Sequence, residues 1–492
     1  MGLGLGAGAI YALALAVAFW PVLGWDTVFV APDAPILPLD WAAGWRHFFT
    51  VPTLHALLTA LLPYPIAYEG TFWADGAVMA LAGAFLLRSR GSSAGAAIVG
   101  GFCAAFAGYF ATLFCAGHRG VVDALAVTAL GFGALERLLR TGRLRWGAAL
   151  GAILAFGLGA QADLWLLMLC ALGAYGLMHL GSAWRTQRWR LVRALAFAGC
   201  VFALVGLPAL RHTFGAARQT RAEQMASATA ASADAGQARE ARWRFITGWS
   251  LPPRETLDCL WPGLFGRTSY PFDPHPYTGQ MGDPEHGIRL RQHSLFLGWA
   301  MLLLAARAWL LRPEAATRCE RRFWTLLALG ALLLAFGRYT PLYRLIFCIP
   351  GLNQIRAPVK WLHLTGFALA MVAGLGAEGW PTRRTWAALC CCALVAFPGA
   401  WLIRGYVFPR SLAHNALTQA VPPGKSLCNP LNLRALDDLC RWQGIALEQD
   451  LGRADYAILP APQPNLPAPV ALLRTQGLAL GLYSLAPLQR SP

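Results

Sequence analysis

Long apolar runs with few charges constrain this sequence more than any other feature. Three of them, Leu3–Gly24, Gly95–Ala116 and Ser294–Leu311, extend over roughly 18 or more residues, the length at which an α-helix crosses the hydrocarbon of a bilayer. Because 57% of the 492 residues are hydrophobic and only 13% are charged, a single soluble core cannot accommodate the chain. We therefore predict an all-α polytopic membrane protein with about eleven transmembrane helices.

Arginine-rich segments alternate with pairs of apolar segments along the chain. They are Arg88/Arg90, Arg137–Arg145, Arg185–Arg193, Arg312–Arg322 and Arg383/Arg384. Since cytoplasmic loops carry the excess of Lys and Arg, we expect these segments and the N-terminus in the cytoplasm. The same alternation predicts an outer location for the connections 25–70, 117–120, 161–163, 212–292 and 337–360 and for the tail from 405.

These boundaries divide the chain into four parts. We predict an N-terminal transmembrane module at 1–211 with about seven helices, and an extracytoplasmic loop or lid at 212–292. About four further transmembrane helices follow at 293–404. A small extracytoplasmic α/β domain occupies 405–492, with strands predicted at Tyr456–Pro460 and Leu478–Leu485. In this tail, Gly424–Ser426 is a false P-loop match, because Gln419 stands where the first glycine is required.

The net charge of +17 does not indicate a nucleic-acid partner. Only Lys360 and Lys425 are lysines among the 41 basic residues, and the arginines are spread through the chain instead of forming one phosphate-binding surface. The partner that the composition predicts is the lipid bilayer.

Polar residues near the apolar runs gather at the outer ends of the predicted helices. Asp75 is placed about one turn into the second helix, and Asp123 begins the fourth helix just after His118 and Arg119. Asp163 lies in the hairpin between the fifth and sixth helices. Carboxylates at such places cap helix N-termini, which explains Asp123 and Asp163 individually. Their shared level also indicates a water-filled crevice that opens at the outer face.

The first outer loop carries aspartates in a stretch rich in proline and tryptophan. One of Asp26, Asp33 and Asp40 is a candidate general base held over the crevice, and solvated loop carboxylates are the alternative.

The connection 337–360 carries four cations on the face where short loops usually avoid them. The four cations are Arg338, Arg344, Arg356 and Lys360, and Tyr339 suits a position at headgroup level. Such a set of cations is what binding of a lipid-linked phosphate or pyrophosphate requires, since arginine binds phosphate oxygens in pairs. Nonspecific binding of anionic headgroups is the alternative.

Two segments carry a resemblance to a known family. They are "WSLPPRETL…PGLFG" at Trp249–Gly266 and "FGRYTPLYRLIFCIPGLNQIRAPVKWLH" at Phe336–His363, with a weaker likeness at "FVAPDAP", Phe29–Pro35. Over most of residues 1–405 the chain resembles the bacterial YfhO-like membrane proteins. These are similar to the GT-C superfamily of polyprenyl-phosphate-sugar-dependent glycosyltransferases.

The resemblance implies a GT-C-like fold in the bacterial cytoplasmic (inner) membrane and transfer of a sugar from a polyprenyl-phosphate carrier to a glycan or lipid acceptor of the cell envelope. It makes Asp33 the first choice for the catalytic carboxylate and Asp26 the second, with Arg356 and Lys360 as contacts to the carrier phosphate. A divalent cation that bridges carboxylate and phosphate is compatible with this chemistry, although no ligand spacing indicates one. The alternatives are a transporter or flippase of lipid-linked saccharides and a noncatalytic envelope protein.

Overall fold

The computed structural model describes most of the helical region and the strands of the tail. The described residues are 13–14, 16, 27–29, 41–50, 53–62, 66–106, 113, 118–229, 235–266, 277–283, 288–289, 295–311, 315–349, 351–381, 385–386, 407–409, 421, 425–428, 446–448, 455–460, 469, 471–475 and 478–484. Helices dominate this part of the chain, as the apolar runs predicted. Leu3–Gly24 lies almost wholly outside it.

The helices follow one another with short connections. They are α1 Trp41–Thr50, α2 Leu54–Leu61, α3 Ile66–Arg90, α4 Ala94–Phe106, α5 Arg119–Thr141, α6 Leu144–Phe156, α7 Ala162–Thr229, α8 Ala235–Thr247, α9 Trp299–Leu310, α10 Ala315–Ala335, α11 Leu342–Cys348 and α12 Trp361–Gly376. Short 3-10 turns at Gly157–Gly159, Pro253–Cys259, Gly337–Tyr339, Leu352–Gln354 and Pro358–Lys360 join or extend them.

Helix α7 corrects two boundaries that the sequence predicted. The basic segment at 185–193 is not an extended loop, because helical structure continues on both sides of one non-helical residue, Gln187 (φ −151°, ψ 36°). The chain turns at Gln187, and the arm that follows packs back against α6. That arm continues past 211 to Thr229, so the predicted loop 212–292 begins as helix. An arm of about 60 Å exceeds the hydrocarbon thickness of about 30 Å.

Helix α12 lies at the centre of the helical region. Nearly all of its side chains are buried, and it packs against α4, α9 and α10. Small residues permit the close approach of α12 to α4, since a Cβ added to Gly100 would lie 3.1 Å from the Cα atom of Gly374. Close backbone contact through glycine is the packing mode of membrane helices, where apolar burial supplies little driving force.

Two described helices are long and apolar enough to cross a membrane by length and composition. They are Ala162–Arg211 and Pro358–Gly376. In the most apolar 18-residue stretch of each, 22% and 89% of the residues are buried, respectively. Shorter apolar helices lie at Ala94–Phe106, Leu144–Gly159 and Trp299–Leu310.

Contacts at one end of the bundle join the predicted basic segments. Arg90 bridges Glu136 at 2.9 Å and Glu320 at 2.7 Å, so that α3, α5 and α10 meet in one ion network. His179 of α7 binds Glu320 at 2.8 Å, and the hydroxyl of Tyr175 donates to Glu136 at 3.2 Å. The two carboxylates are almost completely buried, and this network therefore connects four helices.

Glu378 lies at the same end of the bundle and contacts the beginning of α4. Its carboxylate accepts a hydrogen bond from the backbone N–H of Ser93 at 3.0 Å, at the beginning of α4. Gln187 donates to the carbonyl of Leu139 at 2.6 Å at the same end. The segments predicted to share a face are thus in contact, and the assignment of that face to the cytoplasm stays a prediction.

Contacts at the opposite end join the segments predicted to lie outside. The N–H of Gln161 donates to the carbonyl of Gly120 at 3.0 Å, and the N–H of Leu251 donates to that of Ala335 at 2.9 Å. Strand β1 (Thr27–Phe29), from the first outer loop, pairs antiparallel with β4 (Val407–Pro409) at the start of the tail.

The tail contains a five-stranded sheet and, in its described residues, no helix. Its order is β6-β5-β7-β9-β8, formed by β5 (Ser426–Cys428), β6 (Ala446–Glu448), β7 (Tyr456–Pro460), β8 (Ala471–Thr475) and β9 (Leu478–Ser484). The strands predicted at 456–460 and 478–485 are confirmed. The two-residue strands β2 (Gly282–Asp283) and β3 (Ile288–Arg289) form a separate ladder.

Candidate functional site

The two segments that carry the family resemblance interlock at the end of the bundle that is predicted to face outside. The N–H of Val359 donates to the carbonyl of Trp249 at 3.1 Å, and the N–H of Ala357 donates to that of Ile246 at 3.1 Å. The hydroxyl of Ser250 accepts from the N–H of Arg338 at 3.0 Å. Residues 246–250 therefore hold both ends of the connection 337–360, and we call this contact the outer junction.

Backbone strain is concentrated in the outer junction. Trp249 (φ 61°) and Ala357 (φ 66°) are the described non-glycine residues with positive φ. Such a conformation costs about 1–3 kcal/mol per residue and persists only where the surrounding contacts enforce it, which is typical of ligand-binding and catalytic sites. Here the enforcing contacts are the hydrogen bonds between the two segments.

An ion pair connects the outer junction to the acidic hairpin, which is the connection 161–163 that contains Asp163. The ammonium of Lys360 binds the carboxylate of Asp163, whose side chain is 6% exposed. Asp163 lies in the first turn of α7, and its other oxygen accepts from the N–H of Leu164 at 2.9 Å. Asp163 therefore contacts both a backbone N–H at the N-terminal end of its own helix and a cation of the connection 337–360.

Two histidines lie near this ion pair. His118 directly precedes α5, and His363 is buried in the first turn of α12. His363 is close enough to His118 and Lys360 to interact with both electrostatically. A cation, a carboxylate and two imidazoles thus share one region, although His363 was not among the residues predicted from the sequence.

The arginines of the connection 337–360 stack on aromatic rings. The guanidinium carbon of Arg356 lies 4.3 Å from the ring centroid of Phe245, and that of Arg338 lies 5.8 Å from the ring of Tyr339. Cation–π contact orients a guanidinium while it keeps its hydrogen-bond donors for oxygen ligands. The connection contains no carboxylate, so its positive charge is balanced only from other segments.

The remaining predicted site residues are distributed around this region or lie outside the described residues. Asp75 is buried about two and a half turns into α3, because this helix begins at Ile66 and not one turn before the aspartate. Asp123 is half-buried in the second turn of α5, and Arg119 is the first residue of that helix. Asp26 and Asp33 flank β1 on either side and are outside the described part.

Sequence reasoning missed a second set of carboxylates in the outer loop. Glu255 accepts hydrogen bonds from the hydroxyl of Tyr277 and from the N–H of Gln280, the latter at 2.6 Å. Asp258 accepts from the N–H groups of Leu264 at 2.9 Å and Leu295 at 3.1 Å. Both side chains are buried, so they fix the fold of this loop. The sequence did contain a signal for them, because two acidic residues stand within a proline-rich segment.

Burial also controls protonation in this loop. Desolvation raises the pKa of the Asp258 carboxyl above its usual value, although the backbone N–H groups that it accepts from oppose the shift. Desolvation raises the pKa of the Cys259 thiol to about 12, with the charge of Asp258 adding to the effect.

The described residues contain no group of three or more His, Cys, Asp or Glu side chains placed to hold a metal ion. The predicted catalytic aspartates are outside that set, so the bridging cation stays a prediction. No protein-family model matches this chain, and no curated protein is similar to it to a significant degree.

Proposed function

We propose that this chain is a multi-pass membrane glycosyltransferase of the GT-C type, which transfers a sugar from a polyprenyl-phosphate carrier to a cell-envelope acceptor at the outer face. The observation that carries the proposal is the outer junction. It joins the two segments of the family resemblance, keeps two residues in strained backbone conformations and directs Lys360 to the acidic hairpin.

The reaction that we propose divides the work between carboxylates and cations. Asp33, or Asp26, accepts the proton of the acceptor hydroxyl as its oxygen bonds to the anomeric carbon of the sugar. The bond from that carbon to the carrier phosphate breaks, and Arg338, Arg356 and Lys360 stabilise the negative charge on the departing phosphate.

Exposed apolar side chains support the membrane part of the proposal. Leu204 is 82% exposed, Leu303 is 71% exposed and Leu310 is 84% exposed, and all three lie on apolar helices. Large exposed apolar surfaces indicate an interaction surface, and the lengths of these runs favour lipid. The low burial of the most apolar stretch within Ala162–Arg211, 22%, is expected if lipid covers its exposed side.

The buried ion network at the other end of the bundle bears on the transporter alternative. Transport of a lipid-linked saccharide requires a path that opens alternately at the two faces. The Arg90–Glu136–Glu320 network would have to open in each cycle, although each carboxylate is at most 5% exposed. Breaking buried ion pairs is costly, which favours an enzyme that works at one face.

Transfer by the purified protein tests the proposal. Full-length chain in lipid nanodiscs is given a polyprenyl-phosphate sugar with a radiolabelled sugar and an extract of envelope lipids and glycans, and labelled acceptor is counted. We expect transfer by the wild type and a loss of at least about a hundredfold in Asp33→Asn or Asp26→Asn, the usual contribution of a general base. If both variants transfer the sugar as fast as the wild type does, neither aspartate is the general base.

A further inference from the structure

The Lys360–Asp163 ion pair joins the acidic residue of one segment to a segment that is rich in cations. Its side chains are 19% and 6% exposed, respectively, so the pair is shielded from water. Asp163 contributes one negative charge to this pair, whereas the connection 337–360 carries three arginines besides Lys360 and no carboxylate of its own. The positive charge of this segment therefore exceeds what Asp163 alone neutralises, which favours the approach of a second anion.

The two partners of the ion pair depend on each other to different degrees. Lys360 directly precedes α12, and the partial positive charge of a helix N-terminus disfavours an ammonium there unless an anion is present. Asp163 occupies the first turn of α7, where the same effect favours a carboxylate and the N–H of Leu164 already donates to it. Lys360 therefore needs an anion more than Asp163 needs a cation.

We propose that Asp163 is an internal substitute for a phosphate ligand. It neutralises Lys360 until a lipid-borne phosphate arrives, and the phosphate then replaces the carboxylate at the ammonium. Asp163 remains stabilised by its own helix after the exchange. This inference rests on the proposed function in placing the carrier phosphate at Lys360, and it adds that Asp163 competes with that phosphate.

Arg338 supports a phosphate position beside Lys360. Ser250 accepts from the backbone of Arg338, and the neighbouring Trp249 accepts from the residue before Lys360, so the outer junction brings the backbones at these two positions to the same place. The Nε atom of Arg338 is buried and has no hydrogen-bond partner among the described residues. A buried guanidinium donor without an acceptor is a costly arrangement that a phosphate oxygen would relieve.

Binding of farnesyl phosphate to the full-length chain in nanodiscs made with a zwitterionic lipid tests the exchange. Because the competitor is removed, we expect Asp163→Asn to bind farnesyl phosphate about tenfold more tightly than the wild type, and Lys360→Met to bind it about tenfold less tightly. The double variant should behave like Lys360→Met. Asp455→Asn is the matched control, since it removes the carboxylate of an exposed pair with Lys425 at 3.0 Å, and we expect unchanged binding.

A loss of affinity in Asp163→Asn equal to that in Lys360→Met would overturn the proposal, because Asp163 would then support the site and not compete for it. If that variant does not fold, Asp163→Ser keeps a side-chain acceptor for the N–H of Leu164 without the charge. Tighter binding by the serine variant supports the exchange, and unchanged or weaker binding contradicts it.

Two further probes identify the source of the phosphate. These probes are phosphatidylglycerol and inorganic phosphate, and the affinity of Asp163→Asn for each is compared with that of the wild type. If the variant binds only farnesyl phosphate more tightly, the ligand is a lipid-borne monophosphate. An equal gain in affinity for phosphatidylglycerol supports exchange with a membrane headgroup, and a gain for inorganic phosphate alone contradicts the lipid-borne ligand. The titration measures no sugar transfer, so a competing Asp163 in a chain without transferase activity would refute the enzyme and leave the exchange in place.

Discussion

Arg90 and Glu136 are 46 positions apart in the sequence, and the Nη1 atom of Arg90 lies 2.9 Å from the Oε1 atom of Glu136. The second nitrogen of the same guanidinium lies 2.7 Å from Glu320. One arginine thus serves two buried carboxylates from different helices. It is the main cation of the network at this end, because Arg140 is half-exposed and lies farther from Glu136, at 3.4 Å.

Replacing this arginine should strongly destabilise the bundle. Arg90→Met leaves two buried carboxylates without their main cation, and we expect a loss of about 3 kcal/mol in the free energy of unfolding. Unfolding of the reconstituted protein by denaturant measures it. Arg244→Met is the control, because its pair with Glu240 is more than half exposed on both sides and should contribute less than about 0.5 kcal/mol. Equal effects of the two changes would contradict a special role for the network.

The strained backbone of the outer junction predicts a substitution that stabilises the protein. Ala357→Gly removes the Cβ that is unfavourable at φ 66°, so this change should stabilise the protein by about 0.5–1 kcal/mol despite the flexibility of glycine. The matched change Ala370→Gly, inside α12, should destabilise it by about 1 kcal/mol or more. Thermal unfolding of the two variants checks both signs. A lower melting temperature for Ala357→Gly would show that strain at this residue is absent.

Exposed cysteines at the two ends test the membrane topology. Cys348 belongs to the outer connection and Cys319 to the opposite end, and both are exposed. A membrane-impermeant maleimide added to intact cells or right-side-out vesicles should label Cys348, and Cys319 should react only after permeabilisation. Peptide mass spectrometry reads out each site. Labelling of both from outside would exclude the proposed topology.

Cys170 and Cys200 sharpen the same experiment. Both are exposed, and both lie within Ala162–Arg211, so lipid should exclude a water-soluble maleimide from them even after permeabilisation. We expect them to react only when the protein is denatured in detergent. Rapid labelling of these two sites in membranes would show that water, and not lipid, covers this helix.

The buried thiol of Cys259 gives a prediction on pH. Its pKa of about 12 in the folded protein exceeds the ordinary value of 9.0, so at pH 8 it should resist iodoacetamide while Cys348 reacts. Between pH 9.0 and about 12 the unfolded thiol loses its proton and the folded one keeps it. The contribution of this group to stability is therefore present below pH 9.0 and is lost as the pH rises toward 12. Alkylation at pH 8 as fast as that of Cys348 would contradict the burial.

The apolar and charged pattern of the sequence was sufficient to predict which segments meet at each end. The alternation of arginines assigned 88–90, 137–145 and 312–322 to one face, and Arg90 indeed contacts both Glu136 and Glu320. This works because the number of apolar segments between two loops decides whether they share a face. The exact bounds were less accurate, as α7 shows, because a single residue at Gln187 suffices to reverse the helix.

The sequence alone also indicated that Asp163 and Lys360 belong to the same outer level, since helix order and charge placed them there. Only the tertiary structure decided that they bind each other across 197 positions, because side-chain pairing depends on how α7 and α12 pack. The same holds for Trp249 and Ala357. Their left-handed backbone is imposed by hydrogen bonds between distant segments, and no local preference of tryptophan or alanine predicts it.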